Sequence, residues 1–175
     1  MSKFVTVIFA AAALCLFAVS CSVMGSDSLS DISPIVLQIY LSDKDGANLL
    51  DPEQEDNPVQ VRGISATFQG RTFSVSGADG GDIDTRGVTY YPEYTSLRLV
   101  TDFYGNYMLL FGAIDGQEEL DNEDFVLNWG DGTSDVITIF NNFRWKSNGS
   151  PSITRRFYVN GERQDSDIAT FRLVR

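Results

Sequence analysis

From Ile35 onward, apolar and polar residues alternate with a period of two, and no stretch sustains the spacing of a long amphipathic helix. Nine runs carry this pattern: IVLQIYL (35–41), VQVRGISATFQ (59–69), GRTFSVSG (70–77), YTSLRLV (94–100), YMLLFGAI (107–114), DFVLNW (124–129), DVITIF (135–140), SITRRFYV (152–159) and IATFRLVR (168–175). The second run slips phase at Gly63, which predicts a bulge. Most runs are joined by short turns, among them Gln69-Gly70 and Asn160-Gly161, the latter a strong hairpin signal. A chain of hairpins is antiparallel, because parallel neighbours need long crossovers. The expected fold is therefore all-β, a single antiparallel domain of about nine strands. A β-sandwich is preferred, with a closed β-barrel as the alternative. The inward faces draw on Phe68, Phe73, Val75, Leu97, Leu99, Leu109, Phe111, Val126, Ile137, Ile139, Phe157, Phe171 and Leu173. The acidic stretch 116–124 reads either as a short helix or as a loop.

The first thirty-four residues break this pattern. Lys3 supplies a positive start, and Phe4 to Val19 is an apolar run interrupted only by Thr6. Such a run is short for a membrane span and suits the core of an export signal. It ends in Ala18-Val19-Ser20-Cys21, which resembles a bacterial lipobox, in which small residues precede a cysteine that is acylated and becomes the first residue of the mature chain. Cys15 lacks that context. The expected organisation is a lipoprotein signal peptide over 1–20, a lipidated flexible tether over 21–34 and an all-β domain over 35–175. The expected location is the cell envelope, as an outer-membrane lipoprotein facing either the periplasm or the cell surface. With Cys21 acylated, no thiol remains for disulfides, and about 150 residues suffice for a core without them.

The chain carries 24 acidic and 13 basic residues, a net charge of −11. That balance argues against nucleic acid or an anionic lipid surface as the partner of the domain. The charge is uneven: residues 141–175 hold seven basic and three acidic residues. Either the last strands lie beside acidic ones and neutralise them, the preferred reading, or they form a basic patch.

The absence of histidine removes Ser-His-Asp and Cys-His catalysis and His-ligated zinc. No phosphate-binding glycine loop occurs. The stretch LSDKDGANLLDPEQED (41–56) invites an EF-hand reading, but neither register places glycine sixth together with an acid first and a glutamate twelfth. It reads as an Asp45-Gly46 turn. The acidic loops 78–84 and 129–135 show no specific ligand spacing either, so no metal and no cofactor is expected.

Aromatic clusters are the remaining candidates. Tyr91 and Tyr94 lie in VTYYPEY (88–94), and Phe103 and Tyr104 occupy the turn of DFYGNY (102–107). Exposed rings beside Asn and Asp suit a sugar, the ring covering its apolar face and the polar groups taking hydroxyls. The plain alternative is that these rings cap the ends of the core. Trp129 reads as core; Trp145 fits either core or surface.

The lipobox cysteine, SDKDGANLLDP after the first strand, the NWGDGTSDVITI hairpin, and the closing RRFYVNGE and FRLVR resemble small lipoproteins of Bacteroides-type bacteria. The resemblance implies a β-rich lipoprotein domain with no assigned activity, and it carries over one functional residue, Cys21. Surface export in that group uses acidic residues directly after the cysteine. Here Ser22-Val23-Met24-Gly25-Ser26 stands in that place, which adds weight to a periplasm-facing position. The leading expectation is a non-catalytic, lipid-anchored binding or accessory module whose partner is a glycan or an envelope protein. The alternatives are a structural or assembly lipoprotein and a glycan-active enzyme using two carboxylates.

Overall fold

The computed structural model describes residues 32–54, 59–76 and 96–175. The chain divides into Met1–Asp31 and a compact unit, Ile32–Arg175. Within the second, ten strands follow in order: β1 (Ile35–Ser42), β2 (Ser65–Phe68), β3 (Arg71–Ser76), β4 (Ser96–Thr101), β5 (Tyr107–Ile114), β6 (Leu120–Asn128), β7 (Ser134–Trp145), β8 (Pro151–Val159), β9 (Glu162–Arg163) and β10 (Thr170–Val174). They form one sheet in the order β10-β1-β5-β4-β3-β2-β6-β7-β8-β9. The single helical element among the described residues is a 3-10 turn at Val61–Gly63.

The sheet is mixed, which corrects the antiparallel expectation. Hairpins join β2 to β3, β4 to β5, and β6 through β9, as the short turns require. Two pairings are parallel, β1 with β10 and β3 with β4. Each joins strands separated by a long excursion of chain, which is what a parallel neighbour needs.

Ten strands replace the expected nine because Asn160 and Gly161, both with positive φ (50° and 84°), turn the chain back into the two-residue β9. The 59–69 run is a strand only from Ser65. Its apolar residues Val61 and Ile64 stand three apart, and that spacing forms one 3-10 turn in place of a bulge. The acidic 116–124 stretch is a loop through Glu119, as one of the two readings expected, and enters β6 from Leu120. Leu120 is buried there, Asn122 takes a positive φ of 57°, and the register against β7 shifts between Leu120 and Glu123.

The sheet curls into a half-barrel. Phe157 on β8 and Phe171 on β10 stand near opposite ends of the strand order, yet their rings meet edge to face at 5.6 Å. Between them Phe111 forms a hub, 4.6 Å from Phe125 and 5.1 Å from Phe73. Strand alternation fills the inside: β1 buries Ile35, Leu37, Ile39 and Leu41 and leaves the residues between them half-exposed. Ten of the thirteen expected inward residues are buried, and Phe73 and Val75 pack against them half-buried. Val126 is out of phase. The larger Phe125 and Leu127 take the inner face of β6, with Trp129 buried in phase just beyond it, so Val126 points the other way.

Strand directions give the half-barrel two ends. The chain enters β1 at the near end and leaves it at the far end. The turns 43–47, 102–106, 129–133 and 160–161 follow strands that run to the far end, and the 146–150 turn lies at the near end.

Candidate functional site

Two hairpin-type turns sit side by side at the far end, tied by the Asn48 amide, which donates to the Tyr107 carbonyl at 2.9 Å. In the 43–47 turn, Asp43 N–H donates to the Ala47 carbonyl (3.0 Å) and Gly46 N–H to the Asp43 carbonyl (3.2 Å). The Asp43 carboxylate accepts from the amides of Asp45 (2.9 Å) and Ala47 (2.8 Å). Gly46 takes φ +89°, the left-handed geometry that glycine adopts without strain. This confirms the turn reading of the segment. The Asp43 carboxylate serves loop amides, as in an Asx turn.

The 102–106 turn repeats this construction. Asp102 N–H donates to Asn106 O (2.9 Å) and Gly105 N–H to Asp102 O (3.0 Å). Asp102 Oδ1 accepts from the amides of Tyr104 and Asn106, both at 2.8 Å. Two further donors reach the carboxylate, the Asn106 side-chain amide (3.0 Å) and the Tyr40 hydroxyl (3.3 Å). These hydrogen bonds, led by the Asn106 side chain, hold the Asp102 carboxyl below its ordinary range. The Tyr40 hydroxyl moves up, first through partial burial and then through the negative charge of Asp102.

The second and third turn positions here are Phe103, 96% exposed, and Tyr104, 85% exposed. Their rings meet edge to face at 5.5 Å. The pair forms a right-angled corner projecting from the turn, with Asn106 and Asp102 behind it. Neither ring caps the core, which overturns the plain alternative for these two residues. Tyr91, Tyr94, Cys21 and the 78–84 acidic loop lie outside the described residues.

The 129–133 loop spends its acids on structure as well. The Asp131 carboxylate accepts from the amide and hydroxyl of Thr133 and pairs with Arg175 at 2.9 Å. The Thr133 bonds, foremost that of its hydroxyl, hold the Asp131 carboxyl low. Asp135 accepts from the Trp129 indole (2.7 Å) and from the Asn160 amide (2.8 Å). The Arg175 guanidinium also stands over the Trp129 ring at 5.0 Å. Trp129 is therefore core with its polar edge satisfied. Among the described residues no group of three His, Cys, Asp or Glu side chains converges to hold a metal ion.

A groove of about 380 Å³ runs along the seam where the curled sheet remains open, lined by Val159, Asn160, Glu162, Gln164, Arg172 and Leu173. Arg172 stacks over Tyr40 at 4.5 Å.

The expectation that the basic C-terminal strands neutralise acidic neighbours holds for Arg175 alone among the ion pairs of the described residues. Arg156 stacks on Phe140 at 4.1 Å, and Arg155 donates to the Asn141 side chain (3.1 Å) and to the Ser33 carbonyl (2.6 Å). Trp145, open between core and surface in the sequence, is surface, at 51% exposure. It belongs to an apolar group with Phe143, Pro151 and Ile153 that no motif flagged. Its one sequence signal is that Phe143 and Trp145 keep the period of Ile137 and Ile139.

Compared with known proteins, the chain matches no family model, no curated protein and no solved structure. No helix among the described residues is long and apolar enough to cross a membrane.

Proposed function

We propose that this protein is a non-catalytic, lipid-anchored binding or accessory module of the cell envelope, held by acyl chains on Cys21 and binding through the Phe103–Tyr104 turn. The observation that carries the reading is the exposure of both rings on a turn whose neighbour, built with the same bonds, has no aromatic residue. Aromatic surface left in water without a packing role is what a binding site supplies. The right-angled corner suits the apolar face of a sugar, with the Asn106 side chain beside it. The resemblance to Bacteroides-type lipoproteins belongs to the same reading, as do the tether over 21–34 and the outer-membrane location. We read the curled sheet as an incomplete barrel and not as a sandwich, supported by the Phe157–Phe171 contact across the strand order.

A second reading, contact with an envelope protein, is favoured by a different observation. The rings project from a convex turn, and the groove of the seam is lined by other residues. A projecting ring pair fits a cavity in a partner.

A glycan array probed with the full-length, detergent-solubilised protein separates the two. Saturable binding that Phe103→Ala and Tyr104→Ala each abolish supports the sugar. Absence of binding, together with crosslinks from position 104 to an envelope protein, transfers the site to a protein partner. The anchor is tested separately by metabolic labelling with an alkyne fatty acid. Label should be present in the wild type and lost in Cys21→Ala; equal labelling of both rejects Cys21.

A further inference from the structure

The pairing of β6 with β7 ends at Leu120 and Asn141, but β7 and β8 continue together through Asn142–Thr154, Phe143–Ile153, Arg144–Ser152 and Trp145–Pro151. A two-stranded arm of four residue pairs, about 14 Å at the usual strand rise, therefore extends from the near end of the half-barrel. Phe143, Trp145, Pro151 and Ile153 share one face of it, continuing the inner face of Ile137 and Ile139 beyond the core. Phe143 and Trp145 meet edge to face at 5.2 Å. Trp145 is 51% and Ile153 41% exposed.

Charge singles out the same arm. From Asn141 to Gly161 the chain carries Arg144, Lys146, Arg155 and Arg156 and no acidic residue, in a protein of net charge −11. Arg155 and Arg156 are engaged near the base by Asn141, Ser33 and Phe140. Arg144 and Lys146 flank Trp145 at the exposed tip, and no ion pair among the described residues involves them. The acidic residues Asp115, Glu118 and Glu119 belong to the loop that meets Asn141 at the base, so the tip alone carries the basic sign. The arm also rises from the end where the chain enters the sheet, since Arg155 grips the Ser33 carbonyl.

We propose that the β7–β8 arm is a membrane-contact element, its tip entering the headgroup region of an anionic lipid surface. Trp145 seats at the lipid–water boundary, where an indole has both an apolar body and a polar edge to satisfy. Phe143 and Ile153 follow it into the apolar side. Arg144 and Lys146 reach lipid phosphates through their long stems. The net negative charge of the chain disfavours such a surface only for the body of the domain, because local charges act within about a Debye length. The inference rests on the anchored reading, in which the tether joins the domain at the end from which the arm rises. With the arm docked, the Phe103–Tyr104 turn stands at the opposite end, facing away from the lipid.

The test uses the full-length protein reconstituted into vesicles of phosphatidylethanolamine and phosphatidylglycerol at about three to one, with plain or brominated acyl chains. Bromine quenches an indole on contact, and the buried Trp129 supplies a constant background. The expected result is loss of Trp145 emission in brominated vesicles, no lipid-dependent loss in Trp145→Phe, and recovery of most emission in the Arg144→Gln, Lys146→Gln double variant. Protein that floats with the vesicles but emits equally in plain and brominated lipid overturns the proposal and leaves the anchor standing. Protein that fails to float rejects the Cys21 reading, and the arm is then decided by the same emission difference at rising vesicle concentration. A crosslink from position 145 to an envelope protein in place of lipid also overturns it.

Discussion

The turns 43–47 and 102–106 both begin with aspartate, place glycine fourth and close with the same four hydrogen bonds, yet one shows Lys44 and Asp45 to solvent and the other Phe103 and Tyr104. The difference separates what a turn requires from what it merely tolerates. The first position needs a short carboxylate to take two amides, and the fourth needs positive φ, +89° in one turn and +84° in the other. The second and third positions have no such duty. Lysine and aspartate there cost nothing, whereas two aromatic rings leave apolar surface in water that folding does not reward. Two further turns, 129–133 and 146–150, extend the comparison. Both close with the same N–H to carbonyl bond across five residues, but their cap comes from the third residue, Asp131 or Asn148. In those turns the third position is occupied by structural work, so it is not free to present an aromatic ring.

The largest effect should come from exchanging the exposed pairs. Phe103→Lys with Tyr104→Asp should abolish ligand or partner binding while changing stability by no more than about 0.5 kcal/mol, the usual range for exposed positions. Denaturant titration and a binding assay on the same preparation check both halves. A large stability loss would mean that the rings serve the fold. Next in size, Gly105→Val and Gly46→Val should each cost roughly 1–2 kcal/mol, because a β-branched residue resists positive φ. Similar losses in both turns would support a shared skeleton, and a loss confined to one would break the comparison.

A smaller effect concerns protonation. The Asp102 carboxyl is held low, so its contribution is present above the ordinary carboxylate pKa and is lost as pH falls through its depressed folded value. Amide exchange at Tyr104 and Asn106, followed by NMR, should stay slow until the pH passes below the usual carboxylate range. Asp102→Asn should flatten that dependence. The raised Tyr40 hydroxyl works in the opposite direction. Its contribution is present below the ordinary tyrosine pKa of about 10 and is lost as pH rises through the folded value. The smallest expected change is Lys44→Ala, which should leave stability and binding unaffected, since Lys44 occupies the position of Phe103 without its ring.

Most of the strands were legible because alternation reports directly on a sheet with one wet face. Buried and half-exposed residues alternate along all of β1, whereas the alternation is lost over the acidic stretch 121–124 of β6 and resumes at Phe125. Sequence pattern and structure part where a short local pattern admits two geometries. Val61 and Ile64 fit a slipped strand or a 3-10 turn, and the body of the protein selected the turn by burying both. Val126 and Phe125 each offered an inner-face residue, and the larger ring, with Leu127 and Trp129 in phase, took the core. The exposure of Phe103 and Tyr104 was legible because Asp102, Gly105 and Asn106 announce a turn. The arm was not, because the sequence leaves Trp145 open between core and surface, and only the tertiary structure shows that β6 begins opposite Asn141.

The sequence by itself determined the all-β class, the positions of the hairpins, the capping aspartates and the aromatic pair on the 102–106 turn. These follow from interactions between residues a few places apart: alternation, positive φ at glycine, and carboxylate–amide bonds. The tertiary structure alone decided that β10 joins β1 in parallel, that the sheet curls until Phe157 meets Phe171, and that β7 and β8 outrun their neighbour. Those outcomes depend on contacts between residues far apart in the chain. Several partners of equal hydrophobicity compete for each such contact, and no local pattern records which one is chosen.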